Sequence, residues 1–231
     1  MNIAIIVSGH IRTFIQNYPS WKENLLSLYN CDIYLELWDG YGAGGHNLQY
    51  TPTEDRISAE DIGKIWDLYK PVNFYIENFK NISPYFLDRE KKWEEQVPPY
   101  VSNICGMWYK IYKGVDKLIK TDYDAVVRLR PDHHFNENLI LKTPLPETVY
   151  CDTSYSWNDE TISDQFFYGD YLSMKKASSL FENFDKIYND NTYPNAPEYT
   201  FYKFLKSLDV NIDLDYYRAL KLNRVEGHEY R

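Results

Sequence analysis

Ile3 to Val7 is an unbroken apolar run, mostly β-branched, that stops at Ser8-Gly9. It leaves no polar face for solvent, so it predicts a strand covered on both sides, as in a parallel sheet. Ser20-x-x-Glu23 has the capping-box pattern, with Leu25, Leu26 and Tyr29 following at helical spacing, and predicts a helix start there. Asp32 to Trp38 predicts a second strand, and strand–helix–strand at this spacing is a βαβ unit. Asp39 to Gly45 carries four glycines and is a flexible loop; no Gly-Lys-Ser/Thr follows, so it is not a phosphate loop. Ser58-x-x-Asp61 opens a helix through Ile62, Ile65 and Trp66, and Pro71 begins a third strand running to Ile76.

Residues 78 to 99 are charged and aromatic, with Pro84, Pro98 and Pro99, and read as an irregular excursion, a candidate lid. The clearest helical pattern lies between Ser102 and Lys120, where Ile104, Met107, Trp108, Ile111, Tyr112, Val115, Leu118 and Ile119 recur every three or four positions. Strands are expected at Tyr123–Arg130, Thr148–Asp152 and Gln165–Gly169, and helices at Ser173–Tyr188 and Pro197–Leu208. Strands and helices alternate early and mix late, with no internal repeat. That order predicts an α/β fold: a mixed, mainly parallel sheet, Rossmann-like, flanked by helices on both faces.

The chain has 231 residues, which suits one domain, and a net charge of −9. Such a field repels nucleic acid and anionic membrane surfaces. An anionic ligand would have to be held by local cations, so arginines near a site become informative. Cys31, Cys105 and Cys151 are odd in number and form no Cys-x-x-Cys pair, which points to reduced thiols in a cytosol-like compartment. The N-terminal apolar run is too short for a signal peptide, and no stretch has the length of a membrane span, so a cytoplasmic protein, of a cell or of an infected host cell, is expected. The 23 tyrosines fit a carbohydrate site, since the ring covers C–H faces while the hydroxyl bonds sugar hydroxyls. They also fit the codon usage of an AT-rich genome.

The most informative segment is Tyr123-Asp-Ala-Val-Val-Arg-Leu-Arg-Pro-Asp132. Alternation along a strand puts Arg128 and Arg130 on one face and Val127 and Leu129 on the other. Pro131 ends the ladder, and Asp132 follows the carboxyl end of the strand, where open α/β sheets bind ligands. Arginines there need anionic partners. One reading gives Arg130, and with it Arg128, a phosphate held bidentately. The other is an internal ion-pair network, for example with Asp124 or Glu36. At the end of the first strand, Ser8-Gly9 lets backbone approach a ligand, and Arg12 reaches the same edge. An ordinary turn with a surface arginine is the alternative.

Four strings occur in order: Ile-Val-Ser-Gly-His-Ile-Arg-Thr-Phe from Ile6, Cys31 to Asp39, Tyr123 to Asp132, and Ser163-Asp-Gln-Phe-Phe-Tyr-Gly169. Together, over nearly the whole chain, they resemble a family of glycosyltransferases found in large DNA viruses and bacterial surface-polysaccharide clusters. The resemblance implies a GT-A-like domain over residues 1–231, with a nucleotide-sugar-binding half of about 1–132 and an acceptor-binding half of about 133–231. Its partners would be a nucleoside diphosphate sugar and a glycan acceptor.

In that fold an Asp-x-Asp triplet holds Mn²⁺ or Mg²⁺ on the donor diphosphate. Here the matching triplet is Arg130-Pro131-Asp132, so a cation replaces the first carboxylate. Asp132 remains available to a metal, alone or with His228, which is otherwise a tail residue. Arg130 can itself neutralise the leaving diphosphate, and that favours a site without metal. The resemblance also places Asp164 and Gln165 at the acceptor or donor sugar, with Asp164 as a proton acceptor or a capping residue. Glu198 opens a helix and is a second candidate base, or a helix N-terminal carboxylate. Trp38 and Asp39 are candidate nucleoside contacts, or a core ring and a turn residue. His133 and His134 stand at the edge of this group at most.

Two other functions fit the strings less well. A sugar-1-phosphate nucleotidyltransferase usually has a Gly-rich basic loop after the first strand, and Ser8 to Phe14 holds one Gly and one Arg. A non-catalytic glycan- or nucleotide-binding module would bind donor without turnover.

Overall fold

The computed structural model describes residues 1–40, 56–92, 101–153, 159–189, 197–215, 217 and 219–222. The chain opens with β1 (Asn2–His10), α1 (Phe14–Trp21), a π-helical turn (Lys22–Leu26) and β2 (Asn30–Trp38). Then come α2 (Ala59–Tyr69), β3 (Asn73–Glu77), α3 (Phe79–Lys92), α4 (Val101–Asp116), β4 (Ala125–Leu129) and β5 (His133–Phe135). The remainder is β6 (Thr148–Asp152), β7 (Phe167–Gly169), α5 (Tyr171–Ser178), α6 (Phe184–Asn189), α7 (Pro197–Ser207), β8 (Asn211–Asp215) and β9 (Leu220–Leu222).

Seven strands form one sheet in the order β3-β2-β1-β4-β7-β6-β8, and β5 pairs β9 in a small second ladder. β1 is parallel to β2 and β4, β2 to β3, and β6 to β8; β7 runs against its neighbours β4 and β6. This is the mainly parallel α/β sheet expected. The apolar run of β1 divides by parity, as a strand covered on both faces must. Ala4 and Ile6 pack with Phe86, Trp108, Ile111, Met174 and Phe201 of the helices α3, α4, α5 and α7. Ile3, Ile5 and Val7 pack with Phe14, Trp21, Ile65 and Tyr69 of α1 and α2. A Cβ on Gly114 of α4 would lie 2.3 Å from Ile6 Cγ2, so glycine lets that helix seat on β1. Among the described residues, no helix is long and apolar enough to cross a membrane.

Several expected elements are corrected. Ser20-x-x-Glu23 does not start an α-helix: α1 begins at Phe14 and ends at Trp21, the π-helical turn takes over at Lys22, and Ser20 Oγ bonds back to Asn17 O at 2.8 Å. Residues 79–92 of the expected irregular excursion are helical; 93–100 lie outside the described residues. Burying Phe79 and Phe86 contributes about 1.5–3 kcal/mol each, enough to offset the roughly 3 kcal/mol that Pro84 costs inside a helix. The helix expected over Ser173–Tyr188 is two, because Ser178 and Ser179 hydroxyls bond the Lys175 and Lys176 carbonyls and turn the chain. The expected helix start at Ser58 holds, its side chain accepting from Asp61 N at 3.0 Å.

Candidate functional site

β1 and β4 are adjacent and parallel, so their carboxyl ends lie together. Near the end of β1 Gly9 takes φ +124°, and past the strand Arg12 takes φ +47°. The first is open to glycine, and the second is uncommon for any other residue. This bend returns Arg12 across the end of β4. Past β4, Arg130-Pro131-Asp132-His133 is a tight turn closed by His133 N donating to Arg130 O at 3.2 Å.

Between the two bends sits Asp132, fully buried. Arg12 Nη1 donates to its Oδ2 at 2.5 Å. Arg130 grips both oxygens, Nε to Oδ1 and Nη2 to Oδ2, each at 2.8 Å. The Arg12 and Arg130 side chains keep 23% and 15% of their surface exposed while Asp132 keeps none, so the guanidiniums form the outer layer. Burial works to raise the Asp132 carboxyl, but Arg130 and Arg12 outweigh it and hold it well below the usual range.

The arginines therefore do have a protein partner, though not the one considered from sequence. Asp124 accepts from Asn2 N–H, and Glu36 from Lys117. Arg128 is buried and serves the chain itself: Nη1 donates to Asp164 O at 2.7 Å and to Gln165 O, and Nε to Ser8 Oγ at 3.4 Å. Burial lowers it to about 9, with Asp164 opposing, so it stays cationic near neutrality. The expectation that Arg128 and Ser8 touch a donor gives way to this role, which fixes the 164–165 segment to the end of β4.

Trp38 is corrected as well. Its ring is buried against Phe79, Phe86 and Tyr109, with Lys110 Nζ 4.3 Å above it, and it has no face for a nucleoside. Asp39, half-buried at the end of β2, lies 3.5 Å from Arg56.

The second group of expected residues does assemble. Arg128 and Arg130 bear electrostatically on Asp164, and Asp164 on Glu198 in the first turn of α7. Ile162 N donates to Glu198 O at 3.4 Å, which ties the two segments. Burial raises Asp164 against the pull of Arg128 and Arg130. Burial, and then the Asp164 charge, pushes Glu198 up to about 7. Nearby in sequence, Gln165 Oε1 and Thr200 Oγ1 are buried and have no hydrogen-bond partner among the described residues. A buried acceptor without a partner is what a hydroxyl group of a ligand would satisfy.

Two residues beside Asp132 carried little sequence signal. His10 donates from Nδ1 to Gly40 O at 2.9 Å, and burial followed by Arg12 lowers it to about 4. His133 accepts at Nδ1 from Arg130 N–H at 3.2 Å; burial lowers it to about 3, with Asp132 opposing and Arg130 adding. Both rings are neutral.

The fit to a divalent metal is poor. Both Asp132 oxygens accept from guanidiniums, and the neighbouring position of the triplet is Arg130. His228 lies outside the described residues. Among the described residues, no group of three or more His, Cys, Asp or Glu converges as metal ligands would.

No family model and no curated protein sequence matches the chain. Among solved structures it is similar to mouse xyloside xylosyltransferase 1 in its apo form, at 6% identity and a TM-score of 0.45, over 93% of this chain and 85% of that one.

Proposed function

We propose that this chain is a glycosyltransferase that moves a sugar from a nucleoside diphosphate sugar to a glycan hydroxyl, without a divalent metal. One observation carries the reading: partly exposed guanidiniums of Arg12 and Arg130 at the carboxyl ends of β1 and β4, with raised carboxylates of Asp164 and Glu198 beside them. The four ordered strings and their resemblance to glycosyltransferases support it.

In the reaction, the bond from the anomeric carbon to the β-phosphate oxygen breaks and a bond to the acceptor oxygen forms. The electron pair leaves on the diphosphate, where Arg130 and Arg12 stabilise the added charge. The acceptor's proton goes to Glu198, whose pKa of about 7 suits transfer near neutral pH. Asp164, Gln165 and Thr200 receive sugar hydroxyls. Asp132 acts as the rigid anvil that spaces the two guanidiniums, and the Gly9 backbone lines the phosphate side.

The test is a panel of nucleotide sugars scored by thermal shift and by product formation, with EDTA and with Mn²⁺. A donor at about 100 times its dissociation constant adds roughly 2.7 kcal/mol of stability. A panel in which no donor shifts the melting temperature overturns the reading. The engagement of both Asp132 oxygens favours one alternative, a binding module without turnover. It predicts a donor shift but no product, and no effect of Glu198→Gln beyond affinity.

A further inference from the structure

We propose that His133 is a positioning residue for the anion site, its neutral Nδ1 fixing the turn that aims Asp132 at Arg12 and Arg130. The inference rests on the function proposed above.

Beyond Leu129 the strand ladder of β4 stops, so the Arg130 N–H loses its strand partner and must find another acceptor. It finds His133 Nδ1 at 3.2 Å, while His133 N donates back to Arg130 O at 3.2 Å. One residue thus closes both ends of the turn that holds Pro131 and Asp132. A ring accepting at Nδ1 carries its proton on Nε2 and cannot be the imidazolium. His133 is itself immobile: it is buried, its carbonyl accepts from Trp21 Nε1 at 2.7 Å, and it pairs with Leu222 in the β5–β9 ladder. Trp21 belongs to α1 and Leu222 to the last described strand, so the turn is referenced to two distant parts of the fold. Arg130 is bidentate on an aspartate two residues away, a geometry that tolerates little rotation of the turn. Without the acceptor at Nδ1, the part-buried Arg130 N–H loses this hydrogen bond, and relief comes by opening the turn.

The test compares His133→Asn, whose carboxamide oxygen can take the place of Nδ1, with His133→Leu, which keeps bulk and removes the acceptor. Inorganic pyrophosphate is the probe, titrated calorimetrically. The expected result is binding within about threefold of wild type for Asn, and about tenfold or more weaker for Leu, the loss of one hydrogen bond at a part-buried donor. A Leu variant that binds like wild type, or an Asn variant as weak as Leu, overturns the proposal. If Leu does not fold, the Asn variant decides alone: near-wild-type binding upholds the role and a tenfold loss removes it. A ligand-free crystal structure supplies an arm independent of the functional reading. Arg130 turned away from Asp132 in the Leu variant supports the role, and an unchanged bidentate pair overturns it. Wild-type protein that ignores pyrophosphate would count against the phosphate reading, while that crystal structure still decides about His133.

Discussion

The charges around Glu36 and those around Asp132 are both buried in the same sheet, yet they are arranged on opposite plans. In the first, sign alternates. Lys117 bonds Glu36 at 2.7 Å, and Lys110 bonds Glu77 at 3.0 Å and lies 3.8 Å from Glu36. Aromatic rings seal the ammoniums, Trp38 at 4.3 Å from Lys110 and Tyr75 at 3.4 Å from Lys117. In the second, sign is segregated. Arg12 and Arg130 converge on one carboxylate, while the Asp164 charge adds to the cost of ionising Glu198. Alternation is what stability alone would select, whereas keeping like charges together is unfavourable unless a ligand completes the set. Buried charge therefore does not by itself mark a site; the function proposed above rests on its segregation.

The largest expected effect breaks the alternating cluster. Lys110→Met leaves Glu36 and Glu77 short of a buried cation and should cost about 3–5 kcal/mol of unfolding free energy in urea titrations. Donor affinity of the folded variant should stay within about twofold, since Lys110 pairs with Glu36 and Glu77 rather than with Asp132. A changed affinity with little stability loss would reverse the assignment of the two clusters.

Next comes the segregated cluster. Glu198→Gln should lower kcat by about 10²-fold or more with a small change in KM, as loss of a general base does. Arg130→Ala should weaken donor binding by about 10- to 100-fold, while Arg12 still answers Asp132. Retained affinity in that variant would move Arg130 to the purely structural side of the comparison.

The sequence made these groups unequally legible. β1, β2, β3, α2, β4 and β6 follow from parity, caps and proline. β5, β8 and β9 do not, because short strands such as His133–Phe135 and Leu220–Leu222 are fixed by a distant partner rather than by their own pattern. α3 was hidden by Pro84, whose local cost is outweighed by tertiary burial. Arg12, Arg130, Asp132, Asp164 and Glu198 were visible as residues at strand or helix ends. That Arg128 holds backbone carbonyls, and that Trp38 faces Lys110 rather than a ligand, depends on which side of the sheet each helix covers. Alternation in one strand cannot supply that.

A smaller effect concerns pH. Glu198 sits at about 7 in the fold against an ordinary 4.5. An acid whose folded pKa is raised is penalised when ionised. The penalty is absent below about pH 4.5, grows toward about pH 7, and is constant above. Glu198→Gln should then be more stable than wild type by at most about 3 kcal/mol near pH 8, with the difference vanishing near pH 4.5. Urea unfolding at the two pH values measures it, and a difference that does not change with pH would remove the carboxylate pair from the segregated cluster.

The smallest expected effect is that of a divalent metal on donor affinity, and it separates two meanings of Asp132. If Asp132 were a metal ligand, Mn²⁺ would have to displace at least one guanidinium from an oxygen that accepts from Arg12 or Arg130. It would do so beside three fixed positive charges, of Arg12, Arg128 and Arg130, which repel it. Burial makes that repulsion stronger than in water. The carboxylate is held far into its ionised form by the same arginines, so their removal, not the metal's arrival, is the costly step. Donor affinity measured in excess EDTA and in Mn²⁺ should accordingly agree within about twofold, or 0.4 kcal/mol. In Arg130→Ala, where one cation is gone and an Asp132 oxygen is released, Mn²⁺ should recover part of the lost affinity. Metal dependence in the wild type with none in the variant would mean that the guanidiniums and the cation act together, and the contrast between the two clusters would no longer rest on sign.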